Sequence, residues 1–598
     1  MSLTLHLLGR PRIRSGSDTD HTVRSRKSWA VLAFLLLGDR APTRAELAAL
    51  LFDEAADPLR ALRWSLSELR RALAGHAVLE GDPVVLELAR DVVVDVAVVS
   101  RGSWADAMEL PDVGAELLAG VEVAGAPGFE SWLLAERRRV AAASEAILHE
   151  AALGAMSQGN LDRALGYATR VVAMSPLDEN HHALLIRLYR MTGDEAAAQR
   201  QLAICTELLE RELGTTPGPA VAAALREHRV DQGETATRTS IEALAEAGAA
   251  AVAAGATETG ADSLRAAVRM SDLGDHARLR VSTRLALADT LVHSVRGLDE
   301  EGMATLLAAD DIARDLGDAA AMAEARAELG YVDFLRARYE RAEVWLSQAR
   351  DLGADDPAVA AKATTYLGSV ESDRADYVSA LLHLAEARRL AGLAGDGRRA
   401  AYAAAMLGRV HLLRGEQAEA ETELDTAVDV SLREHWLAFL PWPQALRGEL
   451  ELARGDVSRS AEVLDQAFAR ACQLGDPCWE GISGRGLALA AEARGETDLA
   501  FQLLADARLR SNRLSDPYVW LDGYILDAQC TLGLRHGHPE TADWVDALRL
   551  LASRTGMREL NVRSMLHGAA LGRDGEAAAA AHLARSIANP VLQRLAKG

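Results

Sequence analysis

The sequence predicts a mostly α-helical protein: an N-terminal winged helix-turn-helix of α+β type, then all-α helical-hairpin repeat domains stacked as a superhelix. Three observations predict it. Residues 1–94 carry strand, helix and hairpin signals in the order of a winged helix. Gly159 and Gly193 stand 34 residues apart in helical sequence. From residue 241 onward, small residues recur every 38 to 42 positions. The predicted domains are 1–94, 95–232 and 241–598.

Within the first domain, LTLHLL (3–8), RIR (12–14) and HTV (21–23) read as short strands separated by GRP and SGSD. RKSWAVLAFLLLGD (26–39) reads as a buried helix. In APTRAELAALLF (41–52), Thr43 and Glu46 have the spacing of a capping box that opens a second helix. A third helix spans PLRALRWSLSELRRAL (58–73). AVLEGDPVVLEL (77–88) places two apolar runs around a Gly-Asp-Pro turn, which is a hairpin signal.

The third helix carries four arginines and one acid in a chain whose formal net charge is -22. At 100° per residue, Leu59, Leu62, Leu66, Leu69 and Leu73 share one stripe, with Arg60, Trp64, Ser67 and Arg71 opposite and Arg63 and Arg70 on the flanks. A recognition helix needs such an apolar back and a polar, arginine-bearing front, because the guanidinium fork donates two hydrogen bonds to guanine or reaches a phosphate. The same pattern also describes a solvated surface helix. Charge distribution favours the first reading: residues 1–76 hold 12 basic and 8 acidic side chains, although the whole chain has 65 against 87. An acidic remainder repels nucleic acid, so contact is expected at the basic end.

The middle region, 95–232, is helical by pattern. Gly159 and Gly193 are each followed five residues later by alanine, Ala164 and Ala198, and Pro176 falls between the two units. Three phrases, PGFESWLLAERRRV (127–140), MSPLDENHHALLIRLYRMTGDEAAA (174–198) and ELLERELGTTPGPAV (207–221), follow RKSWAVLAFLLL and SELRRAL of the first domain. On these the chain resembles SARP-type bacterial transcriptional activators over about residues 1–230, in which an OmpR-like winged helix precedes a bacterial transcriptional activator domain. The resemblance implies that residues 58–73 read double-stranded promoter DNA at direct repeats. It also implies that Thr43 and Arg44 approach phosphates and that the middle domain supports self-association and contact with RNA polymerase holoenzyme. Arg26 and Lys27 are further candidates for phosphate contact. The wing departs from the family pattern: it reads EGDPVVLEL, with Glu80 and Asp82 where an arginine-bearing phrase is usual.

RVDQGETATRTS (229–240) reads as a linker. The array after it has small residues at Gly248, Ala288, Gly330, Gly368, Gly408, Gly448, Ala488, Cys530 and Gly568. Twelve positions after most of these stands a second small residue: Gly260, Ala342, Ala380, Ala420, Ser460, Ala500, Ala542 and Ala580. Turn glycines are expected at Gly415, Gly455, Gly495, Gly537 and Gly575. Small residues let antiparallel helices approach closely, so each unit is a tetratricopeptide-like helical hairpin, nine in all, and stacking buries the face that one hairpin leaves open. The second unit carries an insertion at VRGLDEEGM (295–303). The array is expected to take a protein or small-molecule ligand. Its tryptophans, Trp345, Trp436, Trp442, Trp479, Trp520 and Trp544, serve either as hairpin core or as the lining of a ligand site.

Other chemistry is not signalled. The chain has no GxxxxGK[ST] phosphate loop, and no nucleophile, base and orienting group assemble from it, so neither cofactor nor enzymatic activity is expected. His181 and His182 are adjacent and diverge by about 100° on a helix, which suits packing better than one metal ion. His536, His538 and Glu540 sit together in RHGHPE, which is expected to be a plain loop. Cys205, Cys472, Cys478 and Cys530 form no CxxC pair, which fits reduced thiols and a cytoplasmic location. The apolar run 29–38 is about half a membrane span, so no membrane contact is expected. The expected function is a DNA-binding transcriptional activator regulated through the array. The rival is a protein-interaction scaffold whose winged helix docks to protein.

Overall fold

A computed structural model describes residues 3–15, 20–21, 23–38, 40–226, 237–253, 256–274, 276–295, 297–513 and 518–597. They form two compact units: Met1–Leu148 with Arg549–Ser586, and His149–Leu548 with Ile587–Gly598.

The first unit opens with β1 (Leu3–His6), β2 (Arg12–Ser15) and β3 (Asp20–His21), then helices α1 (Arg26–Leu37), α2 (Arg44–Phe52) and α3 (Pro58–Ala72). β4 (Ala77–Glu80) and β5 (Val85–Leu88) form a hairpin, and β6 (Val92–Val94) follows. This is the predicted order, with β6 added. The sheet runs β3-β2-β1-β6, antiparallel except for β6, which lies parallel to β1 with Leu3 opposite Val92. Leu3, Leu5 and Leu7 are fully buried on one face, and on the other Thr4 is half-buried while His6 and Leu8 are buried as well, so period-two alternation is confined to the start of the strand. Buried Asp95 follows β6 and accepts the backbone N–H groups of Leu7, Leu8 and Val96; burial nevertheless raises its pKa. Of the strand expected at 21–23, His21 lies in β3, Thr22 is outside the described residues and Val23 is not in a strand.

The middle region comprises α4 (Asp95–Arg101), α5 (Trp104–Ala107), α6 (Pro127–Ser157), α7 (Leu161–Met174), α8 (Glu179–Met191), α9 (Glu195–Leu213) and α10 (Pro219–Arg226). Gly159 and Gly193 adopt φ of 74° and 81°, a left-handed turn that glycine makes without a Cβ penalty, and Ala164 and Ala198 behind them are fully buried. In the first unit the Trp132 ring of α6 packs on Phe34 of α1, with centroids 4.8 Å apart.

The array begins with α11 (Arg238–Ala253) and α12 (Thr257–Asp272), then α13 (Ala277–Asp289) and α14 (Asp299–Leu316), α15 (Ala319–Leu335) and α16 (Tyr339–Leu352). It continues through α17 (Pro357–Asp373) and α18 (Tyr377–Ala394), α19 (Gly397–Arg414) and α20 (Gln417–Arg433), α21 (Pro441–Ala453) and α22 (Val457–Leu474). α23 (Pro477–Ala493) and α24 (Thr497–Ser511), α25 (Val519–His536) and α26 (Thr541–Thr555), α27 (Arg558–Ala570) and α28 (Glu576–Ala584) complete it. Each predicted small residue lies on a helix of these pairs. The linker expected at 229–240 falls outside the described residues as far as 236, and from Arg238 the chain is already helical in α11. The insertion expected in the second unit includes Arg296, which also lies outside them; just before it, α13 runs into a π-helical turn, Thr290–Ser294.

The small residues act by proximity. A Cβ on Gly330 would lie 2.5 Å from Leu346, and on Gly368, Gly408 or Gly448 it would lie 2.6 Å from Leu384, Leu424 or Leu464. A leucine sixteen positions later thus fills the space that each glycine leaves. Gly415, Gly455, Gly495, Gly537 and Gly575 all take positive φ at the turns. Finally α29 (Pro590–Leu595) docks on α19 within the second unit: Asn589 Nδ2 donates to the Leu413 carbonyl at 3.1 Å, and Arg414 donates to the Ala588 carbonyl at 2.7 Å.

Candidate nucleic-acid interface

α3 starts sharply because Asp57 accepts the Arg60 amide at 2.9 Å and Pro58 takes the first turn, where no N–H is needed. Leu62, Leu66, Leu69, Ala72 and Leu73 are buried behind it. Leu59, placed on the same stripe by the sequence, is 49% exposed. Periodicity sets the angle around a helix axis but not the length over which a neighbour covers it, and the first turn of α3 is uncovered. Its one acid, Glu68, is buried and accepts the Arg24 amide at 3.0 Å.

On the other side, Arg60, Arg63, Trp64, Ser67, Arg70 and Arg71 are all exposed, Trp64 by 55%. Among the described residues no carboxylate pairs with Arg60, Arg63, Arg70 or Arg71. Their guanidinium contacts are with backbone: Arg63 Nε with the Leu59 carbonyl, Arg71 Nε with the Ser67 carbonyl, and Arg70 Nε with the Leu79 carbonyl at 2.7 Å. The last bond ties α3 to β4, so Arg70 braces the hairpin with one of its donors.

The candidates outside α3 have local duties. Thr43 and Glu46 form the predicted capping box: the Thr43 side chain accepts the Glu46 amide at 3.2 Å, and the Glu46 carboxylate accepts the Thr43 amide at 2.8 Å. Hydrogen bonds from Arg40, against the opposing effect of burial, hold the Glu46 carboxyl down at about 2. Arg44 donates its amide to Asp82 at 2.8 Å and Nε to the Gly81 carbonyl at 3.0 Å, fastening the hairpin turn to the start of α2. Asp82 therefore has a structural task that its sequence position did not reveal. Arg26 is exposed, and the Lys27 ammonium sits 5.0 Å from the Phe52 ring centroid. In the same unit, His582 of α28 lies 3.4 Å from Arg40, and burial, with Arg40 beside it, lowers its pKa.

Elsewhere, His181 and His182 are buried, and the His182 ring bonds the Pro176 carbonyl and Gln201. His538 packs on Trp544 and Phe501, whereas His536 faces Glu492 at 3.6 Å. Asp289, His293 and Glu328 each bring a ligand atom within 4.8 Å of the others, but Glu328 already pairs with the Lys362 ammonium. Trp345, Trp442 and Trp520 are buried, and Trp436, Trp479 and Trp544 are half-buried. No helix among the described residues is long and apolar enough to cross a membrane.

Residues 88–228 match the bacterial transcriptional activator domain. The resemblance carried by PGFESWLLAERRRV and the phrases after it is thereby borne out over the middle of the chain, and tetratricopeptide-like hairpins follow it. A comparison with curated proteins finds no match. Among solved structures, the chain is similar to a Rap protein complexed with competence and sporulation factor: identity is 12%, 60% of this chain and 99% of that one are covered, and the TM-score is 0.44. It is similar to EmbR of Mycobacterium tuberculosis in complex with a low-affinity phosphopeptide, at 19% identity over 38% of this chain and 66% of that one, TM-score 0.29. A putative kinesin light chain of Podospora anserina, with nearly identical TPR-like repeats, is 18% identical over 31% of this chain and 93% of that one, TM-score 0.25.

Proposed function

We propose that this protein is a sequence-specific DNA-binding transcriptional activator. Residues 1–94 bind promoter direct repeats, 95–232 associate with a second copy and with RNA polymerase, and 241–598 regulate the activity. The observation that carries the reading is the exposed, carboxylate-free row of guanidinium groups on α3. An arginine already neutralised by an acid gains little by meeting a phosphate, whereas an unpaired one releases counterions from DNA and retains its fork for a base edge. In this reading Arg60, Arg63, Trp64, Ser67 and Arg71 face the major groove, and Arg70 divides its donors between DNA and β4. Arg26, Lys27, Thr43 and Arg44 lie toward phosphates. Glu80 and Asp82 make the hairpin a poor reader of the minor groove.

Gel shifts with operator and scrambled duplexes test this. Loss of Arg60 or Arg71 weakens operator binding by about 1–3 kcal/mol where the arginine reads a base, and weakens binding to both duplexes equally where it meets a phosphate. Unchanged affinity on both duplexes refutes the reading. A second reading, a scaffold whose α3 docks to protein, is favoured by the exposed Trp64 and Leu59 among the arginines. Under it, Trp64→Ala abolishes capture of a protein partner and leaves DNA affinity untouched.

A further inference from the structure

The first helices of successive hairpins carry an unbroken series of rings. His293 faces Tyr331 at 5.1 Å between centroids, Tyr331 faces Tyr366 at 4.5 Å, and Tyr366 meets Tyr402 at 5.9 Å. Tyr402 meets Trp442 at 5.4 Å, and Trp442 stacks on Trp479 at 5.6 Å. A hairpin core alone does not call for this ladder, since the leucines sixteen positions after Gly330, Gly368, Gly408 and Gly448 already fill the contact between paired helices. The ladder is not sealed either: Tyr331, Tyr402 and Trp479 are half-buried.

Polar groups along it are unevenly satisfied. Lys362 and His293 both engage Glu328, so that carboxylate is neutralised. Arg399, in contrast, lies over the Tyr366 ring at 4.9 Å, hydrogen-bonds the Tyr366 side chain and forms no ion pair among the described residues. Its nearest acid in sequence, Asp396, is occupied in accepting the Arg399 amide as the cap of α19. One rung away, Trp442 is buried and its indole N–H meets no acceptor among the described residues. Buried donors normally find acceptors, so the unmet Trp442 indole N–H, with the Arg399 donors that the Tyr366 hydroxyl does not take, suits a group that supplies acceptors beside the Tyr402 ring. Arginine beside aromatic faces favours a flat acid, bidentate on the fork and stacked on the rings.

We propose that the stretch from Tyr366 to Trp442 binds a planar aromatic small molecule bearing an acidic group, with its acid on Arg399 and its rings against Tyr366, Tyr402 and Trp442. The site is confined to the array and does not depend on whether α3 binds DNA.

The test uses the full chain and two dyes that share their rings: 8-anilinonaphthalene-1-sulfonate, an anion, and N-phenyl-1-naphthylamine, which has no acid. The sulfonate is expected to saturate one site and to quench tryptophan emission. Arg399→Gln weakens sulfonate binding by at least about tenfold and leaves the neutral dye within about twofold; Arg399→Lys, which keeps the charge and loses the fork, falls between. Trp442→Phe reduces both binding and quenching. Arg459→Gln, at an exposed arginine paired with Glu462, changes neither dye. Far-UV circular dichroism and thermal melts establish that each variant is folded, and should Arg399→Gln not fold, Arg399→Lys decides. The proposal is overturned by sulfonate binding that is absent or unsaturable, by binding that the Arg399 variants leave unchanged, or by equal loss of the two dyes.

Discussion

Arginine has two different states in this molecule. On α3, Arg60, Arg63, Arg70 and Arg71 face solvent with no carboxylate opposite them among the described residues. In the array, Arg447 meets Glu421, Asp425 and Glu451 at 2.7 to 2.9 Å, and Arg510 and Arg513 both bond Glu480. The residue type is the same, and its partners decide its use. An array arginine holds neighbouring helices by local charge pairing, which stabilises each contact modestly where water reaches it. Apart from the Arg70 bond to the Leu79 carbonyl, an α3 arginine holds no neighbouring element in place, and none is neutralised by a carboxylate among the described residues, so its charge stays available to an external anion.

The sharpest way to break the comparison is to exchange functions. The double variant Arg60→Ala, Arg71→Ala is expected to lose roughly 100-fold or more in operator affinity by fluorescence anisotropy, with its urea midpoint unchanged. Glu480→Ala is expected to do the reverse. It removes an almost fully buried acceptor of two arginines, lowers stability by about 1–2 kcal/mol in urea titration and leaves DNA affinity at the wild-type value. A drop in DNA affinity for Glu480→Ala would show that the two populations are not separate.

Between these extremes lies the capping box that opens α2. Thr43→Ala should cost about 1 kcal/mol of stability, and its effect on DNA binding tells whether Thr43 serves the helix alone or a phosphate as well. The smallest effect comes from pH. Because Arg40 holds the Glu46 carboxyl at about 2, below its ordinary 4.5, its contribution is complete above pH 4.5 and is lost as pH falls toward 2. Urea midpoints of the wild type should therefore drop more between about pH 5 and pH 3 than those of Glu46→Gln.

Local pattern made most of the elements legible. The capping box, the leucine stripe of α3 from Leu62 to Leu73, the hairpin and the small-residue steps all rest on spacings within about forty residues, and the structure realises them. Features that depend on distant partners were not legible. β6 became a strand by lying beside β1, almost ninety positions earlier in the chain. Glu68, the one acid of α3, and Asp82 of the hairpin turn acquired a task only from their backbone partners, the Arg24 and Arg44 amides. The ring ladder was only half legible: the sequence supplied the tryptophans, but the tyrosines and Arg399 between them acquired meaning from the side-by-side packing of the first helices. The leucine at sixteen positions had a signal in the sequence, an exact offset from Gly248, Gly330, Gly368, Gly408, Gly448 and Ala488, that composition alone concealed.

The return of α29 to α19 alters how such an array comes to be made. A plain solenoid contacts only its neighbours, so it can grow unit by unit as it leaves the ribosome and fray from its free end. Here the Asn589 side chain closes a loop of 176 residues onto the Leu413 carbonyl. That closure waits until residues 587–595 have been synthesised, and its large sequence separation makes it a slow, late step of folding.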